Sequence, residues 1–294
     1  MHHFELTNSQ IRVKNHTLLG VLLTALSMNI GSNVIAAPIT FNTALPIGKD
    51  QILVREQLIS AKVSGAGVEI NSQSLVNTLV YGASADLALF TELPLVYAEL
   101  ESLQDRETES GLGDVRVSAR YTAFRSNAKG RTFRIAPFGG VELPTGKHDA
   151  DSALNLGSDT YDFFAGVITT YGTTQWSIDG QLSYQKNGAS GGINLGNSAR
   201  LDASFQYRLS PKELTINTKH FLHGVIELNV IKQDSNRING VDDGSNSTQF
   251  LLAPGVQWIT QRWIAEASLQ LPLNNARTEI DTDYIARIGV RANF

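Results

Sequence analysis

Between Ser198 and Leu209 the chain reads SARLDASFQYRL. Ala199, Leu201, Ala203, Phe205, Tyr207 and Leu209 fall on one parity, and Arg200, Asp202, Ser204, Gln206 and Arg208 on the other. A period of two marks a strand with one apolar and one polar face. The pattern returns at Gln175–Gln185, where Trp176, Ile178, Leu182 and Tyr184 oppose Ser177, Asp179, Gln181 and Ser183, and again at Asp283–Phe294. Past Ala37 no segment carries a helical period. The chain is therefore predicted to be all-β, with about twelve strands near 51–63, 73–82, 86–96, 113–124, 133–144, 159–171, 175–186, 198–209, 220–232, 247–259, 263–273 and 283–294, each close to a bilayer-crossing length. The first two alternate too poorly for their facing to be read.

Alternation is shared by soluble β-sandwiches, so two further features decide the class. Connections alternate in length: GASAD, GTT and TQR are tight, whereas most others are polar and rich in Gly, Asn and Asp. The link Ser210–Lys219 is longer than its side suggests. Aromatics also cluster by level. Tyr121, Phe133, Tyr171, Trp176, Tyr207, Phe221, Trp258, Trp263 and Phe294 fall beside the short turns or at the chain end, and Tyr97, Tyr161, Tyr184 and Tyr284 near the long loops. Two girdles with asymmetric connections predict a transmembrane antiparallel up-and-down β-barrel in a bacterial outer membrane, with outer-membrane lipid around it.

Export is consistent with the start of the chain. Arg12 and Lys14 precede the apolar TLLGVLLTALSM, and the small-residue site VIAAP follows. This order predicts a signal peptide at 1–36, cleaved before Ala37, because the apolar run is shorter than the roughly 18 to 20 residues a spanning helix needs. Glu5 is atypical of such a leader, which makes Val13 an alternative start. Residues 37–50 then lead into a barrel at 51–294.

If the apolar face meets lipid, the polar face lines the lumen. That set comprises Arg116, Arg120, Arg134, Glu142, Asp162, Asp179, Arg200, Asp202, Arg208, Glu227, Glu266, Arg287 and Arg291. Charges leaving bulk water need partners, so a narrow lumen should hold them paired. About twelve strands lie between the filled eight-stranded barrel and the wide porin, and a small-molecule solute is the expected cargo. The repeats ELPL, ELPTG and QLPL are each expected to end an outward-running strand, which places Glu92, Glu142 and Gln270 in one inward-facing ring below the outer mouth.

The formal charge of −4 excludes an excess of base for nucleic acid, and with no cysteine there is neither a disulfide framework nor a thiol metal site. GASGG fits G-x-S-x-G around Ser190, but without the strand-turn-helix setting of a nucleophile. His220 and His223 lack the spacing and carboxylates of a metal set, and PTGK lacks the glycine spacing of a phosphate loop. No catalytic residue, metal or cofactor is expected.

Several stretches together resemble the outer-membrane family named for a MetA pathway of phenol degradation. They are GLGDVRVSARY (111–121), APFGGVELPTGKHD (136–149), LGSDTYDFFAGV (156–167), APGVQW (253–258) and the final strand. The resemblance implies a transporter-like role for small aromatic or otherwise hydrophobic compounds. The terminal strand ending on Phe294 resembles the assembly signal read by the barrel-assembly machinery. A lipid-hydrolysing barrel and a non-conducting structural barrel are the alternatives.

Overall fold

A computed structural model describes residues 36–294 apart from 104, 150, 151, 153, 216 and 275–280. All but the last residue of the expected signal peptide therefore lies outside the described residues. The wall is built from β1 (Ile52–Gly65), β2 (Val68–Gly82), β3 (Leu87–Ser102), β4 (in three segments, Arg106–Leu112, Val115–Tyr121 and Phe124–Ala128), β5 (Arg131–Leu143), β6 (Asp162–Thr173), β7 (Trp176–Lys186), β8 (Ser198–Ser210), β9 (His220–Gln233), β10 (Ser247–Thr260), β11 (Trp263–Pro272) and β12 (Asp281–Asn293). Each strand pairs antiparallel with its neighbours in sequence, and β12 returns to pair with β1 from Leu53↔Asn293 to Ser64↔Asp281. The result is a closed barrel of 12 strands. Closure leaves the sheet without a free first or last strand, which a lipid-embedded sheet requires because lipid offers no hydrogen bonds.

The alternating faces sort as their parity demands. Leu201, Phe205, Ile226, Val256 and Ile288 are exposed on the outer surface, while Asp202, Ser204, Gln206, Glu227, Gln257 and Glu266 are buried. At the inner end a ring chain runs Tyr171–Trp176–Phe205–Tyr207 with centroids 5.4 to 6.5 Å apart. His220 stacks on Trp258 at 5.1 Å, an aromatic packing role.

Two expectations need correction. Residues 97–102 and 106–112 are strand, not loop, because β3 and β4 continue outward beyond the crossing length. Charged pairs such as Arg106–Glu99 (2.8 Å) decorate that extension. ELPL accordingly lies inside β3 and does not end it, whereas Pro144 follows the end of β5 and Pro272 closes β11. Pro94 is tolerated mid-strand because β4 is interrupted opposite it, where Gly113 N–H donates to the Pro94 carbonyl at 2.8 Å. Pro137 faces the second interruption of β4, at Thr122–Ala123. At Pro254 the β10–β11 ladder keeps its register but skips from Leu252↔Leu271 to Gly255↔Ser268, as a missing donor requires.

Ser190 sits on the outer loops, where Ala189–Ser190, Ile193–Asn194, Arg237–Ile238 and Val241–Asp242 form a small separate sheet. Its hydroxyl donates to Asp159 at 2.6 Å.

Candidate functional site: a lumen crossed by the N-terminal segment

Residues 36–50 do not merely lead to the barrel. They enter it. Ala36 packs on Ile259 and Ile264 beside the β10–β11 turn, Ala44 on Ala136 and Ile168, and Ile47 on Val80, Ala88 and Phe90 beside the β2–β3 turn. The segment thus goes in from the inner end, bends within the lumen and comes back to the same end, where Asp50 N–H donates to the Gly82 carbonyl at 2.8 Å.

Lumen charges hold it. Glu227 accepts the N–H groups of Ile39 (2.8 Å) and Thr40 (3.0 Å). Arg120 donates to the carbonyls of Thr43 (2.5 Å) and Leu45 (2.8 Å). Arg291 donates to Ala37 and Pro38, Arg55 and Gln57 to Ile39, and Gln257 to Ala37. Asp179 accepts from the hydroxyls of Thr43 (2.9 Å) and Thr170 (2.5 Å) and from Gln206 (3.2 Å). A buried segment with irregular backbone must find partners for its polar groups. Here side chains of the wall supply them.

The remaining charges form groups. Glu266 lies between Arg55 (2.6 Å) and Arg291, fully buried. Asp202 accepts from Arg200 (3.1 Å), Gln181 (3.1 Å) and Asn229 (2.8 Å); Asn229 also donates to Thr40 and accepts from Gln270 at 2.6 Å. Gln270 therefore belongs to this network. The row containing the other two residues of the expected ring runs by register through Arg291, Arg55, Thr78, Glu92, Arg116, Glu142 and Asp162. Within it Arg116 pairs with Glu142 at 3.2 Å. Asp162 turns to the outer loops, accepting from Thr160 (2.6 Å) and the Gly188 N–H (2.8 Å). Arg208 lies over Phe221. Arg134 and Arg287 make no hydrogen bond or ion pair among the described residues. The expected pairing of lumen charges thus holds for some, while Arg120 and Glu227 pair with main chain instead.

The lumen is not uniformly polar. Phe138 is directly opposite Gly166, and Gly140 opposite Phe164, in the β5–β6 ladder. A Cβ at Gly140 would stand 2.7 Å from the Phe164 ring, and one at Gly166 2.6 Å from the Phe138 ring. The two glycines let both rings lie against the wall. Arg116 covers the Phe164 face at 4.3 Å.

Two cavities lie against the segment. The outer one, about 520 Å³, is bounded by Ile39–Asn42 below and by Arg116, Arg200, Arg287, Phe138 and Phe164 on the wall. The inner one, about 150 Å³, lies between Thr43–Gly48 and the wall at Val80, Phe90 and Arg120. Asn42, Arg55, Thr78 and Glu92 line both.

Sequence reading misses Arg55, Gln57, Asn229, Thr170 and Gln257, since the poor alternation of β1 hides the first two and the others are uncharged. It also misses Asp114, whose carboxylate accepts the N–H groups of Gly146 (2.8 Å) and Ser158 (2.6 Å) and the Ser158 hydroxyl (3.0 Å). Asp114 draws together GLGD, PTG and GSD, three of the stretches that carry the family resemblance, and folds the β5–β6 loop onto the outer rim.

Comparison with known proteins agrees with this architecture. The fold matches that of an outer membrane channel from Pseudomonas putida F1, with a TM-score of 0.68 and 17% identity over 88% of this chain and 100% of that one. It also matches the β domain of the Bordetella autotransporter BrkA, with a TM-score of 0.51 and 14% identity over 83% of this chain and 100% of that one. No curated protein matches in sequence. Residues 57–278 match the family described as "Putative MetA-pathway of phenol degradation", and the chain belongs to that family.

Proposed function

We propose that the protein is an outer-membrane channel for small compounds, whose lumen is narrowed by its own N-terminal segment. The observation that carries the reading is the pair of cavities beside the segment, one against Ile39–Asn42 and one against Thr43–Gly48, which share Asn42, Arg55, Thr78 and Glu92 in their linings. A barrel serving only as a scaffold has no need of hollow, partly apolar space in its lumen; this one keeps such space and lines it with rings and guanidinium groups. The family description supports small aromatic compounds as cargo.

Lipid hydrolysis is disfavoured by position. Ser190 lies on the outer loops, and His220 and His223 begin β9 at the inner end, a barrel height away. The segment's packing at the inner end also supports processing before Ala37, since Ala36 lies beside the β10–β11 turn, on the side facing the periplasm.

Planar-bilayer conductance and liposome uptake of phenol, measured for the intact protein and for a variant lacking residues 37–47, test this. Small currents in the first and much larger ones in the second are expected. Absence of current and uptake in both would overturn the channel reading.

A further inference from the structure

The outer cavity is unbalanced in its contacts. Its charged lining is Arg55, Arg116, Arg200 and Arg287 against Glu92 alone. Arg55 is neutralised by Glu266 at 2.6 Å, and Arg116 by Glu142 at 3.2 Å. Arg200 gives one Nη to Asp202, but its Nε is buried without a partner. Arg287 has no hydrogen bond or ion pair among the described residues, and its Nη1 is buried without a partner.

Elsewhere in the lumen the segment supplies acceptors, as it does for Arg120 and Arg291. It does not reach Arg287. Holding a guanidinium away from bulk water with unmade hydrogen bonds is unfavourable, and an oxyanion is its natural complement because the planar fork matches a carboxylate. β8 and β12, which carry Arg200 and Arg287, are not neighbours in the barrel. Their side chains approach one cavity from different parts of the wall.

The same cavity offers an apolar face, on which the Phe138 and Phe164 rings stand 6.5 Å apart and tilted by 50°. Phe138 and Phe164 lie against the wall over Gly166 and Gly140, and Ile59 and Val76 point inward where alternation would put polar residues. Aromatic rings pack well on such a face, and a cavity of about 520 Å³ is within the range of small-ligand sites.

We propose that the outer cavity is a binding site for a small carboxylate with a flat apolar body, its oxyanion held by Arg287 and Arg200 and its body by Phe138 and Phe164. The proposal rests on the channel reading for the route by which the ligand arrives, and not for binding itself.

Calorimetric titration of the purified barrel in detergent tests it with three probes: benzoate, neutral benzamide, and acetate. Saturable benzoate binding at least tenfold tighter than that of either other probe is expected, weakening as salt rises. Arg287→Gln should reduce benzoate affinity at least tenfold, whereas Arg134→Gln, outside the cavity, should leave it unchanged. Phe164→Leu should weaken benzoate and leave acetate as it was. Heat-dependent gel mobility verifies that each variant is a closed barrel, and Arg200→Gln serves in place of Arg287→Gln should the latter fail to close. Equal binding of benzoate and benzamide, equal binding of benzoate and acetate, or unchanged affinity in closed-barrel variants of the two arginines would overturn the proposal. Failure of conductance with benzoate binding intact would count against the channel reading alone.

Discussion

The Glu227 carboxylate accepts the Ile39 backbone N–H at 2.8 Å, although the two residues are 188 positions apart, and its second oxygen takes Thr40 at 3.0 Å. One side chain of β9 thereby fixes the turn of the N-terminal segment that faces the outer cavity. Glu227→Gln retains one acceptor and sets its amide N–H against a main-chain N–H. Loss of a charged acceptor of this kind costs about 1–3 kcal/mol. Faster subtilisin cleavage within 36–50 and larger open-channel current are the expected results. Unchanged proteolysis would show that the remaining contacts suffice to hold the segment.

Whether the segment must move for transport is settled by tying it down. Ala44 packs on Ala136, both fully buried, and the chain has no cysteine to interfere. In the double variant Ala44→Cys with Ala136→Cys, oxidation should suppress phenol uptake and reduction restore it. Equal uptake in the two redox states would mean that solutes pass the segment in place.

Glu266 is a buried charge of the lumen held between two cations, with Arg55 on one side and Arg291 on the other. Glu266→Gln leaves two guanidinium groups without their shared anion. Breaking a buried pair in this way costs about 3–5 kcal/mol, so the variant should lose its compact gel mobility at a lower temperature. Substitution of exposed Glu213 should leave that temperature unchanged.

These contacts show what a sequence can and cannot reveal about such a barrel. Alternation makes β7, β8 and β12 legible, because lipid and lumen select residues of opposite character on successive positions. The inward facing of Asp202, Glu227 and Glu266 follows from parity alone. The course of residues 37–50 does not, because the segment has no period and is held largely through its main chain, which every sequence carries. Pro94 reads as a strand end because the interruption that accommodates it lies in the neighbouring strand. Ile59, Val76, Phe138 and Phe164 break the polar rule inside the outer cavity, and that departure marks the candidate binding face.

Glu92 and Glu142 flank Arg116 in one register row, but only Glu142 is paired with it. Replacing both by Gln removes two negative charges and leaves Arg116 unneutralised. Reversal potentials in a salt gradient should shift toward anions, and the shift should shrink at high salt, where the Debye length falls well below its ~8–10 Å near physiological ionic strength. Glu92→Gln alone should give the smaller shift because it leaves the Arg116 ion pair intact. An unchanged reversal potential in the double variant would remove these residues from ion selection.

Phe294 exchanges two main-chain hydrogen bonds with Ile52, at 2.7 and 3.0 Å, where β12 meets β1. Its ring is half-buried at the inner end. Two separable contributions follow, one from the backbone that completes the closing ladder and one from the aromatic group at the interface. Deleting Phe294 removes both, whereas Phe294→Ala keeps the hydrogen bonds and removes only the ring. If recognition by the assembly machinery depends on the ring, both variants should reach the membrane in reduced amounts, while refolding into detergent from urea should be impaired mainly by the deletion. If closure alone matters, Phe294→Ala should accumulate like the unaltered protein. Normal abundance of both variants with transport lost would contradict an assembly role and place Phe294 in the solute path.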